Sequence, residues 1–357
     1  MAIRFLPTEE QTMFRDSARR WVDQDHKTDG DPAAHWAHFA EMGWLMIALP
    51  EAAGGLGGDV YDAAIIAEEL GRGLVRAPFV EVAVTAAQAL LLLAPDRVAA
   101  IAAGEARPVL AHDEAEARGD PDWVATAAVR DGDGWRLSGR KTAIVGGAFA
   151  DSFLVSATIE GQGIALFEVA TDGAPLRAYT TIDDRAAAEL LLDRTPATLL
   201  GTADAAHAAI HAAHDHALVL ESAEAIGTMQ AALDLTRDYL LTRRQYGQRI
   251  GDFQALRHRL ADMFIELEQA RSMVLRGLAA LVDGDPAERA LIAAATRARV
   301  AQAGTFVGAQ GIQLHGGIGV TEEYPVGHHF KRLIAFETRH GTAAAQVQRF
   351  AELSRLE

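Results

Sequence analysis

The hydrophobic pattern of this 357-residue chain changes its period twice. Residues 1–106 carry apolar side chains at helical spacing, residues 107–202 form short alternating runs, and residues 203–357 return to long helical segments. Buried side chains recur about every 3.6 residues in a helix and every second residue in a strand, so the middle segment does not continue the helices on either side of it. We therefore predict an α+β protein with an N-terminal helical domain, a middle antiparallel β-domain and a C-terminal four-helix bundle.

The first segment opens with a helix start signal. Thr8 can cap the helix, and Gln11 stands three residues later, as in a capping box. Three further helices are predicted before residue 106, at His35 to Met42, Val60 to Leu70 and about Val80 to Leu93.

The middle segment consists of short runs bounded by Gly, Asp or Pro, which is typical of antiparallel strands. Gly132-Asp133-Gly134 indicates a hairpin turn. The predicted strands are WRLSG (135–139), KTAIVGG (141–147), SFLVSA (152–157), GIALFEVA (163–170) and AELLLD (188–193).

The last segment contains four long amphipathic stretches with short connections, which favours an antiparallel bundle. The predicted helices run from about Ala205 to Arg243, Phe253 to Val282, Pro286 to Gln313 and His340 to Leu356.

Charge and composition exclude several classes of function. The net charge of −16 would repel a phosphate backbone, so we expect no nucleic-acid partner. The chain has no cysteine, which excludes disulfides, thiolate metal sites and thiol catalysis. No apolar run is long enough to be a signal peptide or to cross a bilayer, and we therefore expect a cytoplasmic protein with no membrane partner.

Three ordered blocks carry a resemblance to a known family. They are the stretch from Trp36 to Gly57, the run RRQYGQ (243–248) followed by FQAL (253–256), and Gln313 with GGIG (316–319) before Tyr324-Pro325-Val326. Together they resemble acyl-CoA dehydrogenases over essentially the whole chain. The resemblance implies that family's fold, an acyl-CoA substrate, FAD as cofactor and an electron-transfer flavoprotein as acceptor.

The resemblance also implies which residues hold the ADP half of FAD, usually across a subunit interface. Arg243 follows a long helix and can contact a pyrophosphate with two N–H groups. Gly316-Gly317 would let backbone N–H groups approach an anion closely. The implied cofactor-binding residues are Arg243, Tyr246, Gln254, Gln313, Gly316, Gly317 and Thr342.

The chain departs from the family pattern at three places. The stretch 110–120 lacks most of the glycines and hydroxyl donors of the family's flavin-contacting loop, and Ala143 stands where a tryptophan is usual. His340 occupies the usual position of the catalytic glutamate, and Ala217 occupies the alternative position. A histidine could act as a general base near neutral pH, so His340 is the candidate catalytic residue.

These departures are similar to those of small subunits in heterotetrameric (α2β2) acyl-CoA dehydrogenases of the steroid side-chain or pimeloyl-CoA type. The resemblance implies that a larger partner subunit supplies the base and that this chain completes the FAD site. An alternative is a self-sufficient homotetramer that uses His340 or a displaced glutamate, with Glu221, Glu224 and Glu337 nearby in sequence.

Two further classes remain open. His207, His211 and His214 share a helical face beside Asp215 and His216, and imidazoles at this spacing can share a metal. No His-Glu-x-x-His signature accompanies them, so we assign no metal ligand and expect a polar helix face. A scaffold subunit that binds neither flavin nor substrate is the other possibility.

Overall fold

A computed structural model describes residue 4 and residues 6–26, 30–172 and 174–355. The described residues form two compact units. Unit 1 comprises those within Met1–Thr28, Ala64–Val75 and Glu221–Glu357, and unit 2 those within Asp29–Ala63 and Arg76–Leu220. The three-part division at residues 106 and 202 stays a prediction, although the first strand begins at Pro108 and the last ends at Gly201.

Unit 2 contains the sheet predicted for the middle of the chain. Its strands are β1 (Pro108–Ala111), β2 (Ala127–Asp131), β3 (Gly134–Val145), β4 (Ser152–Ile159), β5 (Gly163–Ala170), β6 (Leu176–Thr180) and β7 (Ala186–Gly201). The predicted hairpin is confirmed, since Asp131 of β2 pairs with Gly134 of β3 across a two-residue turn. The two predicted runs 135–139 and 141–147 are one strand, which a bulge near Ala143 bends.

The strand pairings close into a circuit. β4 pairs with β2, β2 with β3, β3 with β7, β7 with β5, and β5 again with β4. Most pairings are antiparallel as predicted, but β4 pairs in parallel with both β1 and β2. Phe153, Val155 and Phe167 share one face of the paired strands β4 and β5 and are fully buried, which removes their apolar surface from water.

The helices of unit 2 precede and follow this sheet. They are α2 (Pro32–Glu41), the first residues of α3 (Val60–Arg72), α4 (Ala87–Leu93), α5 (Val98–Ala102) and the first half of α6 (Ala203–Thr242). The predicted helix at 80–93 begins as a seven-residue π-helix, Val80–Ala86, before α4 continues it. No hydropathy pattern distinguishes these two helix types, because they differ only in which carbonyl each N–H reaches.

Unit 1 is mostly helical in the part that the structure describes, with one short two-stranded hairpin at residues 244–249. It contains α1 (Glu9–Gln24), the rest of α3 and α6, α7 (Gln254–Asp283), α8 (Pro286–His315), α9 (Pro325–Thr338) and α10 (Ala343–Leu353). The Thr8–Gln11 capping box of α1 is confirmed, because each side chain binds the backbone of the other residue. The helix α8 packs against α7, α9 and α10 and forms the centre of this unit.

Two details of the C-terminal prediction are wrong. The helix α9 was not predicted, since it begins with a proline shortly after the glycine-rich run 316–319, which obscures its period. The last helix begins at Ala343 rather than at His340. His340 has a φ of 54°, which is outside the helical region, and Thr342 caps α10 by accepting a hydrogen bond from the Ala345 N–H.

Glycines allow α3 and α6 to cross closely within unit 1. A Cβ at Gly227 would overlap the carbonyl oxygen of Glu68, and a Cβ at Gly71 would overlap that of Glu224. The Thr228 hydroxyl donates to the Gly71 carbonyl at 3.0 Å and satisfies a group that this contact buries. None of the helices in the described ranges has the length and apolar character needed to cross a membrane.

Candidate functional site

The end of α6 presents the first predicted cofactor-binding residues. Arg243 follows the helix directly, and its carbonyl accepts a hydrogen bond from the Ile250 N–H at 2.9 Å, which closes a short hairpin. Tyr246 and Gly247 form the turn of that hairpin, with φ values of 54° and 82°. A tyrosine in the left-handed region is strained, and this one is 91% exposed, with its ring edge-on to that of Phe253 at a centroid distance of 6.2 Å.

The end of α8 lies beside the end of α6. The His315 ring stacks on Tyr239 with centroids 4.5 Å apart, which places Gln313 and Gly316 within one turn of this contact. Gly316 has a φ of 64°, a conformation that favours glycine. A Cβ at Gly316 or Gly317 would contact nothing within 4 Å, so the backbone there is open to a ligand.

The polar side chains at this end of unit 1 are free to bind. Arg243, Gln254 and Gln313 are exposed, and none forms a side-chain hydrogen bond or ion pair with any residue in the described ranges. Unpaired guanidinium and amide groups beside an open glycine backbone suit a pyrophosphate and an adenine. The donor set therefore fits the ADP half of FAD, and its role stays a prediction.

His340, at the predicted base position, contacts a buried carboxylate. Its Nε2 lies 3.0 Å from Oε1 of Glu221, whose side chain is only 3% exposed. The guanidinium of Arg339 lies 3.0 Å from the same oxygen, and that of Arg297 lies 3.0 Å from Oε2. Arg297 also donates to the Phe336 and Arg339 carbonyls and so fixes the loop that carries His340.

The charges around Glu221 decide its ionisation. Burial raises the pKa of this carboxyl, but Arg339, His340 and Arg297 more than offset that effect and hold the pKa well below its usual value. The group is therefore a permanent carboxylate at neutral pH. Glu221 was not assigned a role from the sequence. It lies one helical turn after Ala217, and the i, i+4 spacing on α6 is the signal that could have identified it.

The predicted catalytic and ADP-binding residues lie far apart within the chain. Glu221 and Arg243 are separated by 22 positions, all but the last within α6, which corresponds to about 33 Å at the rise of an α-helix. His340 and Thr342 belong to the Glu221 end, and Thr342 already uses its hydroxyl to cap α10. One copy of the chain therefore does not bring Thr342 together with Arg243.

In unit 2, the stretch 110–120 is held by a buried network of its own. Lys141 is fully buried, and its ammonium group donates to Glu114 at 2.6 Å, to Ser156 at 2.9 Å and to the His112 carbonyl at 3.1 Å. Glu114 also accepts hydrogen bonds from Ala125 and Thr126. These side chains point into the protein, where they stabilise the loop instead of offering donors to a flavin ring.

Burial sets the pKa values in this network. It lowers the pKa of Lys141 to about 8, against the attraction of Glu114, and lowers that of His112 to about 3 with help from the Lys141 charge. Ala143, which stands at the family's tryptophan position, is exposed with a φ of 53°. The stretch 110–120 is therefore held by internal hydrogen bonds, and residue 143 offers only a methyl group. The resemblance implied contacts with the flavin ring at both places.

The histidines on α6 divide into two groups. His207 and His211 approach Asp122, and the three ligand atoms lie within 4.8 Å of one another. His214 shares this helical face with His207, since seven residues rotate by about 700°, but it is buried and is not part of that cluster. Two of the three histidines therefore come together, and their third neighbour is Asp122.

Known proteins match the chain along most of its length. Residues 8–97 match the model of the acyl-CoA dehydrogenase N-terminal domain, and residues 207–353 match that of the acyl-CoA dehydrogenase C-terminal domain. Acyl-CoA dehydrogenase IpdE2 of Mycobacterium tuberculosis (strain ATCC 25618 / H37Rv) is 31% identical, over 98% of this chain and 97% of the relative. The chain belongs to the acyl-CoA dehydrogenase family. Enzymes of this family dehydrogenate acyl-CoA thioesters, and both the predicted family and the predicted fold are confirmed.

Solved structures of this acyl-CoA dehydrogenase fold include two heteromeric proteins. A variant of the Tcur3481–Tcur3483 steroid ACAD is 31% identical, with a TM-score of 0.88 over 98% of both chains. The ChsE4–ChsE5 complex from Mycobacterium tuberculosis is 26% identical, with a TM-score of 0.87 over 99% of both chains. The chain is thus similar to members of the family whose structures contain two different subunits.

Proposed function

We propose that this chain is the small subunit of a heteromeric, FAD-dependent acyl-CoA dehydrogenase whose larger partner supplies the catalytic base. The observation that carries the proposal is the contact between His340 and the buried Glu221. The imidazole at the base position is directed at a carboxylate that two arginines already neutralise. That arrangement stabilises the loop that carries His340, so another group would have to remove the α-proton of an acyl-CoA.

The neighbouring glutamates do not offer a replacement base. Glu221 is buried in its ion cluster, and Glu224 accepts from Arg332 at 2.5 Å. Glu337 accepts a hydrogen bond from the Ala343 N–H at the start of α10. Each of these carboxylates has an intramolecular partner that would be lost if it turned to a substrate.

Completion of the FAD site is the second part of the proposal. Arg243, Gln254 and Gln313, together with the open backbone at Gly316-Gly317, would hold the ADP half of a flavin whose ring lies on the partner subunit. When bound, FAD accepts the hydride that leaves the acyl-CoA, and an electron-transfer flavoprotein is the proposed acceptor of those electrons. Similarity to a steroid ACAD supports a bulky acyl group as substrate.

The base assignment is tested by His340→Gln in the assembled complex with its larger subunit. The glutamine amide can still donate to Glu221 but cannot accept a proton at neutral pH. We expect kcat for acyl-CoA dehydrogenation to stay within about threefold of wild type. A loss of about 10²–10⁴-fold, the usual contribution of a general base, would refute the proposal.

A homo-oligomer that uses His340 as base is the competing function. The Glu221 carboxylate favours it in one respect, because a carboxylate that contacts an imidazole nitrogen can fix the orientation of the ring. Expression of the chain alone separates the two functions. We expect it to be colourless and inactive without the larger subunit, whereas a yellow, active homo-oligomer would establish the alternative.

A further inference from the structure

Asp122, His207 and His211 form a cluster outside the residues proposed for FAD and for the base. His207 and His211 lie four positions apart on α6, and their rings face each other with centroids 4.1 Å apart. Their Nε2 atoms lie 3.2 and 2.8 Å from the same carboxylate oxygen of Asp122. No other group of three His, Asp or Glu residues in the described ranges brings its ligand atoms this close.

These distances are close to those of a metal centre. Zn²⁺ binds imidazole nitrogen and carboxylate oxygen at about 2.0–2.2 Å, so tetrahedral geometry places neighbouring ligand atoms about 3.3 Å apart. The two nitrogen–oxygen distances here are 3.2 and 2.8 Å. All three ligand atoms lie within 4.8 Å of one another, so small movements of the exposed Asp122 and His207 side chains would bring them to tetrahedral spacing. The fourth position of the metal would remain open to water.

Hydrogen bonds fix the backbone of the loop that carries Asp122. The buried His112 ring lies 3.0 Å from the Pro121 carbonyl and 2.8 Å from the Ser156 hydroxyl, and it so anchors the residue before the ligand. The Asp122 N–H donates to the Asp120 carboxylate at 2.9 Å. A ligand set is most effective when its backbone is fixed before the metal arrives, because little ordering remains to oppose binding.

The chemistry of the three side chains also fits this role. A site of two neutral imidazoles and one carboxylate selects Zn²⁺ and other divalent transition metals over Ca²⁺ or Mg²⁺, which require oxygen ligands.

We propose that Asp122, His207 and His211 form a binding site for a divalent transition metal ion, Zn²⁺ in the first place, that fastens the loop after β1 to the first turns of α6. Both segments belong to unit 2, so a single chain completes the site. The metal would add a cross-link to a part of the protein that contains no disulfide. Its role is to stabilise unit 2.

The test is Zn²⁺ titration of untagged, chelator-treated protein by isothermal calorimetry, followed by thermal unfolding with and without Zn²⁺. We expect one equivalent to bind and to raise the Tm. Replacing one ligand in His207→Ala, His211→Ala or Asp122→Asn should weaken Zn²⁺ binding at least tenfold and abolish the Tm increase. His328→Ala is the matched control, because it removes a partly exposed histidine that lies near Glu322 and is not part of the Asp122–His207–His211 cluster.

Two results would overturn the proposal. One is the absence of stoichiometric Zn²⁺ binding, which would identify the cluster as an ordinary ion pair. The other is binding that the three ligand variants leave unchanged or that His328→Ala removes, which would locate the metal elsewhere. The His207→Ala variant also guards against misfolding, since its side chain is more than half exposed and its loss should leave the metal-free Tm unchanged.

Discussion

Replacement of Lys141 by methionine tests the buried network that takes the place of the flavin-contacting loop. Methionine keeps most of the apolar stem but removes the ammonium group, which is fully buried and donates to Glu114, Ser156 and the His112 carbonyl. The Glu114 side chain, 4% exposed, would then be a buried carboxylate without its cation.

The magnitude follows from the bonds that remain. Removing one member of a buried ion pair costs about 3–5 kcal/mol, because the other charge stays buried and uncompensated. Glu114 keeps three hydrogen bonds from the Ala125 and Thr126 backbone N–H groups and the Thr126 hydroxyl. These bonds stabilise the carboxylate, so we expect the lower end of the range, about 3 kcal/mol, and a decrease in Tm of about 6 °C.

A double-mutant cycle identifies the physical cause. Glu114→Gln keeps acceptor and donor groups at the same position without the charge, so Lys141→Met combined with Glu114→Gln should cost less than the two single substitutions together. We expect a coupling free energy of about 2 kcal/mol in urea denaturation. If Lys141→Met changes the free energy of unfolding by less than about 1 kcal/mol, or if the two effects add, the pair does not stabilise this loop.

Four further substitutions probe other parts of the chain. Gly227→Ala should destabilise by about 3 kcal/mol in urea denaturation, because its Cβ would overlap the Glu68 carbonyl oxygen, whereas Gly317→Ala, which meets no neighbour, should be neutral. His329 has its pKa lowered to about 3 by burial and then by nearby positive charge. The native state thus binds fewer protons than the unfolded chain between pH 6.5 and 3, so the free energy of unfolding decreases as the pH falls through that window. The decrease is at most about 1.4 kcal/mol per pH unit. His329→Leu should reduce this dependence, which denaturation series at several pH values would measure. Arg243→Ala should reduce FAD occupancy of the assembled complex, measured by flavin absorbance, without lowering the Tm of the chain; unchanged occupancy would favour a scaffold role.

Much of the fold could be predicted because its signals are local. The Thr8–Gln11 capping box, the hairpin at residues 132 and 133 and the long periods of α7 and α8 depend on residues a few positions apart. The helix α9 was not predicted because it begins with a proline shortly after a glycine-rich run, and these residues interrupt the hydrophobic period. The π-helix was predicted as an ordinary helix, because the two types differ in their hydrogen-bond register and not in their residue pattern.

The candidate sites depend on contacts between residues that lie far apart in the sequence. The sequence by itself determined the family and the α–β–α order, since ordered motifs and residue identities carry that information. It also predicts that His340 stands in place of the usual base. Only the tertiary structure decided that His340 contacts Glu221, 119 residues away, that Lys141 fills the altered loop, and that Asp122 joins His207 and His211. The reason is physical: a side chain acquires its charge state and its partners from neighbours that folding brings together, and their separation along the chain does not reveal them.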